Sequence, residues 1–303
     1  MGTFGVLWRG AKRGTTMRFL DVRTDCAFQM VFGSQRSRQV LRHFLNAMLE
    51  YEDEHEIRDV EIVDPGQVPL VRGMKDCYVN VRAVLANDSH VLIEMQVLDV
   101  ESIEQPVLYN AARLYSSQLR YREHYRLINP VIALTFTDFV FFADTPEQMM
   151  SRYRLAKKQR LMDYDIELVF VELPKFRKEG SELAGAQDQW IYFIKNARTL
   201  DRVPDCLTEP MIRQALEWID ESTLSARELE TMHQRREVLQ MQRDALGKAR
   251  INGVREGFEQ GRQAERQAVA RVAHGQGLAA VHIAQLLGCT LEEVQRLLAV
   301  PSA

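Results

Sequence analysis

Cysteine is scarce in this chain. Its four cysteines, Cys26, Cys77, Cys206 and Cys289, lie far apart in 303 residues, and no two share C-x-x-C spacing. A secreted disulfide framework or a zinc ribbon needs denser, closer-set cysteines. These four read as free thiols in a reducing compartment. Long apolar runs are missing too. The most hydrophobic stretch, residues 131–142, contains Asp138 and falls short of the ~18 apolar residues of a membrane span. It reads as a buried strand, and no membrane association is expected. The chain also lacks a basic excess, with 39 Lys and Arg against 42 Asp and Glu and a formal charge of −3. Any affinity for nucleic acid must therefore come from a local patch.

The N-terminal residues 1–16 fit no structural period, and their one apolar run, residues 4–8, is too short for a secretion signal. Met17 opens the first patterned segment and is the expected native start. The sixteen residues before it contain Arg9, Lys12 and Arg13 but no acid, so the patterned chain is more acidic than the total. What the sequence does have is core-forming material. It is 46% hydrophobic, and a chain of this length buries roughly 75% of its unfolded surface. A cytoplasmic globular protein is expected.

Residues 26–51 have helical periodicity, with Phe28, Val31, Phe32, Leu41, Phe44 and Met48 spaced to bury one face. A short strand is expected at 59–63, ended by Asp64-Pro65-Gly66. Runs at 77–86 and 90–97 flank Asn87-Asp88-Ser89 and read as a β-hairpin. Helical spacing returns over 104–122, followed by strands at 131–142 and 166–173. This order, helix, three strands, helix, strand, strand, predicts an α/β fold with a mixed sheet. The tail differs. Residues 224–268 contain no proline and a sparse apolar series among Arg, Glu and Gln, which predicts a long, largely exposed helix of coiled-coil character. Within it Gly253, Gly257 and Gly261 recur every fourth residue, at a cost of roughly 1 kcal/mol each against alanine. Two short amphipathic helices close the chain, separated by Gly288, the second opened by the capping box Thr290-Leu291-Glu292-Glu293.

The hairpin holds the candidate chemistry. Strand alternation puts Tyr78, Asn80, Arg82 and Val84 on one face, and Leu92, Glu94 and Gln96 on one face of the next strand. Metal-dependent phosphodiester hydrolysis needs hard oxygen ligands, a water to activate and a group that stabilises developing charge. An Asp on one strand with Glu-x-Lys on the next supplies that set. This chain has an altered version, Asn80 with Glu94-Met95-Gln96. Alone, the pattern is also what an exposed polar strand face produces.

Further segments give the pattern its context. They include Phe19-Leu20-Asp21-Val22-Arg23-Thr24-Asp25, Phe44-Leu45-Asn46-Ala47, Asn80-Val81-Arg82, Ile93-Glu94-Met95-Gln96, Tyr109-Asn110-Ala111-Ala112-Arg113-Leu114-Tyr115, Glu172-Leu173-Pro174-Lys175-Phe176 and Phe193-Ile194-Lys195-Asn196-Ala197. In their order and spacing the chain resembles the recombination-promoting nuclease (Rpn) and putative transposase family, a branch of the PD-(D/E)XK nucleases. The likeness covers roughly residues 17–200, and the G-x-x-x-G-x-x-x-G tail agrees with it.

The resemblance implies a restriction-endonuclease-like αβββαβ core with a mixed central sheet, followed by a long helical C-terminal extension. It implies a DNA endonuclease using Mg²⁺ or Mn²⁺, with Glu94 and position 80 as metal ligands and Gln96 in place of the usual lysine. Asp25 matches an acidic family position and is expected to assist the metal. An acid favoured by a helix N-terminus would look the same. Arg113 and Gln118, on the second helix, are expected to approach DNA. The departure is Asn80, where the family has Asp. A neutral carbonyl is a poor substitute for an anionic oxygen on Mg²⁺. Asp76 lies four residues away, ~13 Å along a strand. The activity is therefore expected to be weakened. The alternative is a degenerate module of the same fold that binds DNA or protein.

Arg152, Arg154, Lys157, Lys158 and Arg160 form a basic cluster expected to contact DNA phosphates. The expected organisation is an extension at 1–16, a nuclease-like domain at 17–200, a helical linker and coiled-coil-like tail at 201–268 and a helical hairpin at 269–303. The tail is expected to drive homo-oligomerisation.

Overall fold

The computed structural model describes residues 17–51, 56–63, 80–99, 103–119, 124–154, 156–157, 160–161 and 166–299. The first periodic segment forms two helices rather than one: α1 (Asp25–Phe32) and α2 (Arg38–Leu49). The break falls at Gly33, where an added Cβ would lie 3.1 Å from the Gln29 carbonyl oxygen and 3.4 Å from Val81. The tight approach is to the last turn of α1 itself, and Val81 on the strand below lies at ordinary contact distance. Next come β1 (Val60–Val63), β2 (Val81–Leu85) and β3 (His90–Gln96). The expected Asp64-Pro65-Gly66 stop and the first residues of the second strand, 77–79, lie outside the described residues.

The hairpin turn between β2 and β3 is tight, with Asp88 left-handed at φ 63°. The Asn87 side chain accepts the Ser89 N–H at 3.1 Å, the local hydrogen bonding that suits Asn and Asp to turns. Helix α3 (Glu104–Ser116) ends before residue 122, where the Ser116 and Ser117 hydroxyls donate to the carbonyls of Arg113 and Leu114. Strand β4 (Val131–Thr137) stops at Asp138. Then follow β5 (Met150–Arg154), the two-residue pair β6 (Ala156–Lys157) and β7 (Arg160–Leu161), and β8 (Ile166–Glu172). Helices α4 (Gly185–Asn196) and α5 (Pro210–Trp218) complete the core. Strand β5 is not evident from periodicity, because Arg152 and Arg154 look like surface charge in the sequence.

Six strands form one sheet in the order β1-β2-β3-β4-β8-β5. The β1–β2, β2–β3 and β5–β8 pairs are antiparallel, and β3–β4 and β4–β8 are parallel. The fold is mixed α/β, as the sequence predicts. One face of the sheet packs on α1, α2, α4 and α5, where Phe28, Phe32, Phe44, Phe136 and Trp190 are fully buried. Their rings pack at centroid distances of 4.3 to 5.7 Å, tilted in the Phe32–Phe44 and Phe44–Phe136 pairs and edge-on in Phe44–Trp190. The Trp190 indole N–H donates to His43 Nδ1 at 2.9 Å. His43 Nε2 therefore carries the proton, and it faces Glu209 at 3.1 Å. The other face packs on α3 through Leu92, Ala133 and Phe170 against Val107, Ala111 and Leu114.

This core continues past residue 200. Ile212, Ala215, Leu216 and Ile219 are fully buried in it, and Leu20 N–H donates to the Ile219 carbonyl at 2.9 Å. The chain divides into two compact units between Leu239 and Gln240. Helix α6 (Ala226–Gly275) is one 50-residue helix, as its composition predicts. In the second unit, the end of α6 packs with α7 (Ala280–Leu287) and α8 (Leu291–Ala299) around Ala270, Ala273, Ile283 and Val294. Gly288 supplies the left-handed C-cap at φ 60°. The capping box also forms, with Thr290 N–H donating to Glu293 and Glu293 N–H to Thr290.

Candidate active site

The hairpin register fixes how Asn80 and Glu94 stand to each other. In the β2–β3 register Arg82 lies opposite Leu92 and Val84 opposite His90. Continuing that register puts Asn80 opposite Glu94. The β3–β4 register adds Thr135 beside Glu94 and Thr137 beside Gln96. Polar residues thus form two short rows on the α3 face of the sheet, Asn80–Glu94–Thr135 and Gln96–Thr137–Glu172. The rows lie at the C-terminal ends of the parallel strands, where α/β sheets place ligands.

Glu94 is 5% exposed. Its Oε1 accepts a hydrogen bond from Asn110 Nδ2 at 2.8 Å, and its Oε2 faces Gln96 Nε2 at 3.4 Å. Burial pushes the carboxyl above its ordinary range, and the two amides only partly oppose that shift. The Thr135 hydroxyl beside it is buried and has no hydrogen-bond partner. In the sequence Asn110 stands out only as part of the segment Tyr109-Asn110-Ala111-Ala112-Arg113-Leu114-Tyr115. Its signal is helical position: it shares the inward face of α3 with Val107, Ala111 and Leu114, so a polar residue there must find a buried partner.

Asn80 uses its one side-chain oxygen differently. Oδ1 accepts the backbone N–H of Met95 at 2.6 Å, so the side chain serves as an extra rung of the hairpin ladder. Its backbone carbonyl meets Gln29 Nε2 at 3.4 Å. Asp25, one turn before Gln29, is exposed at the start of α1. The acids near the end of β3 are engaged elsewhere. Asp138, whose N–H donates to the Gln96 carbonyl, accepts from Arg23 Nη1 at 3.0 and 3.2 Å. Asp21 takes the other side of the same guanidinium at 2.8 and 2.9 Å.

These donors do not fit a divalent-metal centre. Mg²⁺ is held by one or two carboxylates completed by waters and substrate phosphates, and among the described residues no three His, Cys, Asp or Glu side chains gather to hold it. The row offers one carboxylate, which burial biases towards its protonated form, and one amide oxygen already engaged by an N–H.

The residues expected to meet DNA are mostly occupied. Arg113 is 4% exposed. Gln118 clamps Asn129, donating to its carbonyl at 3.0 Å and accepting its N–H at 2.8 Å. Arg154 pairs with Glu167 at 2.8 Å, and Arg152 bridges Glu167 at 3.7 Å and Glu50 at 3.2 Å. Lys157 and Arg160 pair through their backbones in β6 and β7. Their side chains, and Lys158 entirely, lie outside the described residues.

A three-stranded antiparallel unit continued by parallel strands, helices on both faces and a polar row at the strand ends define a restriction-endonuclease-like fold. The chain belongs to the PD-(D/E)XK nuclease family transposases, whose family pattern it matches over residues 22–249. Enzymes of the PD-(D/E)XK type are generally dependent on divalent metal, and a nuclease family points to DNA as substrate. No curated protein and no solved structure matches the chain. Among the described residues no helix is long and apolar enough to cross a membrane.

The burial of Glu94 has a measurable consequence. A carboxyl whose pKa is raised on folding binds its proton more tightly in the native state. Its contribution to stability therefore falls as pH rises from the ordinary ~4.3 through the raised value. Glu94→Gln keeps the Asn110 hydrogen bond and removes the buried charge. The variant is expected to unfold with the wild type near pH 4 and to be more stable at pH 8 by about 1–3 kcal/mol. Thermal melts at the two pH values check this; equal melting temperatures at pH 8 contradict it.

Proposed function

We propose that this chain is a DNA-binding protein on the PD-(D/E)XK nuclease fold in which metal-dependent phosphodiester hydrolysis is strongly attenuated. The observation that carries this reading is the hydrogen bond from Met95 N–H to Asn80 Oδ1. It commits the only side-chain oxygen at the position where the family has an acid. Glu94 holds the family's glutamate position, and Gln96, a neutral amide that moves no proton near pH 7, would orient water or phosphate. Mg²⁺ or Mn²⁺ would be the metal of whatever activity persists.

DNA contact would rest on the exposed parts of Arg152 and Arg154 together with Lys157, Lys158 and Arg160. Arg113 and Gln118 act as supports of the fold in this reading, because Arg113 is buried and Gln118 is engaged by Asn129, while the exposed Asp25 would assist the metal of any residual activity. The tail would assemble copies of the chain. Ile251, Val254 and Phe258 are 68%, 69% and 71% exposed, and their i, i+3, i+7 spacing sets them on one face of α6. The protein would act in the cytoplasm as an extension, a nuclease-like domain, a helical linker and tail, and a terminal helical hairpin.

The experiment is a plasmid-nicking assay in Mg²⁺ and in Mn²⁺, run beside a gel-shift assay with the same plasmid. The wild type is expected to bind DNA and to nick it no faster than Glu94→Ala. Rapid wild-type nicking that Glu94→Ala abolishes would contradict attenuation. Failure to bind DNA would contradict the reading as a whole.

A further inference from the structure

The same sheet face holds two side chains, Arg82 and His90, each with one buried nitrogen that finds no hydrogen-bond partner among the described residues. Arg82 points to the face that carries Asn80 and Glu94, and His90 sits diagonally across the hairpin from it, opposite Val84. Arg82 Nε and His90 Nδ1 are shut off from water, and neither has a hydrogen-bond partner. Both side chains remain partly exposed. Among the described residues no carboxylate pairs with Arg82. Burial alone lowers its pKa, with no acid opposing that. Burial also lowers the pKa of His90, the neighbouring Arg82 lowers it further, and Asp88 in the turn offsets part of this.

A half-buried guanidinium without a counter-ion among the described residues is costly, and the neutral imidazole beside it has one N–H to donate to the same ligand. An anion lying on this face would satisfy both. Arg82 is two residues along β2 from Asn80, about 6–7 Å by strand rise. That step is comparable with the separation of successive phosphates along a nucleic-acid strand. Guanidinium suits this role because its planar fork fits two phosphate oxygens.

We propose that Arg82 and His90 form a binding site for a phosphodiester of the DNA backbone, the one adjacent to the phosphate that lies over Asn80 and Glu94. This rests on the DNA-binding reading above and deepens it. The site positions the strand and carries no sequence information, since phosphate contacts set register while base edges specify.

The test is fluorescence anisotropy of a labelled duplex bound to the full-length protein over a series of KCl concentrations. Arg82→Met is expected to weaken binding at least tenfold and to reduce the slope of log K against log salt by about one. Arg82→Lys keeps a cation and is expected to retain the wild-type slope. His90→Gln, which leaves Arg82 in place, is expected to weaken binding by a smaller factor. Wild-type binding with an unchanged slope in Arg82→Met, or unchanged affinity in His90→Gln, would overturn this inference and leave the broader reading standing. Absence of any wild-type binding would overturn both.

Discussion

Replacing Lys175 with methionine is expected to destabilise the protein by about 3–5 kcal/mol, the usual cost of leaving a buried charge unpaired. The Lys175 side chain is 2% exposed and that of Glu172 is fully buried, with Nζ 2.5 Å from Glu172 Oε2. The same ammonium donates to the carbonyls of Phe142, Thr145 and Gln148 at 2.8, 2.9 and 3.2 Å. Glu172 Oε1 accepts the N–H groups of Phe141 and Phe142 at 2.6 and 3.0 Å. The pair thus fastens the connection between β4 and β5 to the end of β8. Methionine fills the volume but strands one carboxylate and three carbonyls.

At about 2–4 °C per kcal/mol for a unit of this size, the melting temperature should fall by roughly 10 °C. A second substitution, Glu172→Gln, should recover part of the loss, because the double variant has no buried charge left to compensate. Thermal unfolding of the two single variants and the double variant closes the cycle. Strict additivity, or a loss under about 1 kcal/mol for Lys175→Met, contradicts this account of the pair.

The second large effect is a gain. Asn80→Asp is expected to raise Mg²⁺-dependent nicking by about 100-fold or more, since even outer-shell partners of metal ligands are worth about 10–100-fold. The reason is geometric. Aspartate can keep one oxygen on Met95 N–H, as Asn80 does at 2.6 Å. Its second oxygen then puts an anion in place of the amide nitrogen at the residue that continues the register opposite Glu94. Without metal, two facing carboxylates repel, so Asn80→Asp should melt below the wild type and be restored by Mg²⁺ through preferential binding to the folded state. A plasmid-nicking time course and melts with and without Mg²⁺ check both halves. Unchanged nicking, with no Mg²⁺-dependent shift in melting, would mean that position 80 does not limit the chemistry.

Much of this arrangement is legible in the sequence because strand alternation is strict. Asn80 opposite Glu94 follows from periodicity two on each side of Asn87-Asp88-Ser89, and the structure keeps that register. The long helix α6 follows as directly from a proline-free run of helix formers. What the sequence conceals is partnership. Nothing in the spacing of Arg23 says that it binds Asp21 and Asp138, residues brought together only by the end of β4. Nor does a run of arginines reveal that Arg152 and Arg154 both meet Glu167 across the β5–β8 pair. Gln118 reads as a surface amide until Asn129 is placed against it. Long-range polar pairs depend on topology, and periodicity reports only which way a side chain faces.

The break between α1 and α2 has a local signal instead. Residues 33–39 contain no apolar side chain, and the chain uses that polar gap to end α1 at Gly33 and open α2 at Arg38. Asn110 is a similar case. A polar residue on the inward face of α3 was visible in the helical spacing, and the structure gives it Glu94 as its partner.

The central claim is that Asn80 leaves the nuclease fold short of a metal ligand. Calorimetric titration of Mn²⁺ into the wild type, Asn80→Asp and Asn80→Asp with Glu94→Gln tests it most directly. The account predicts no saturable binding to the wild type, a saturable site in Asn80→Asp, and loss of that site when Glu94 is also replaced. A saturable wild-type site as tight as that of Asn80→Asp would contradict it.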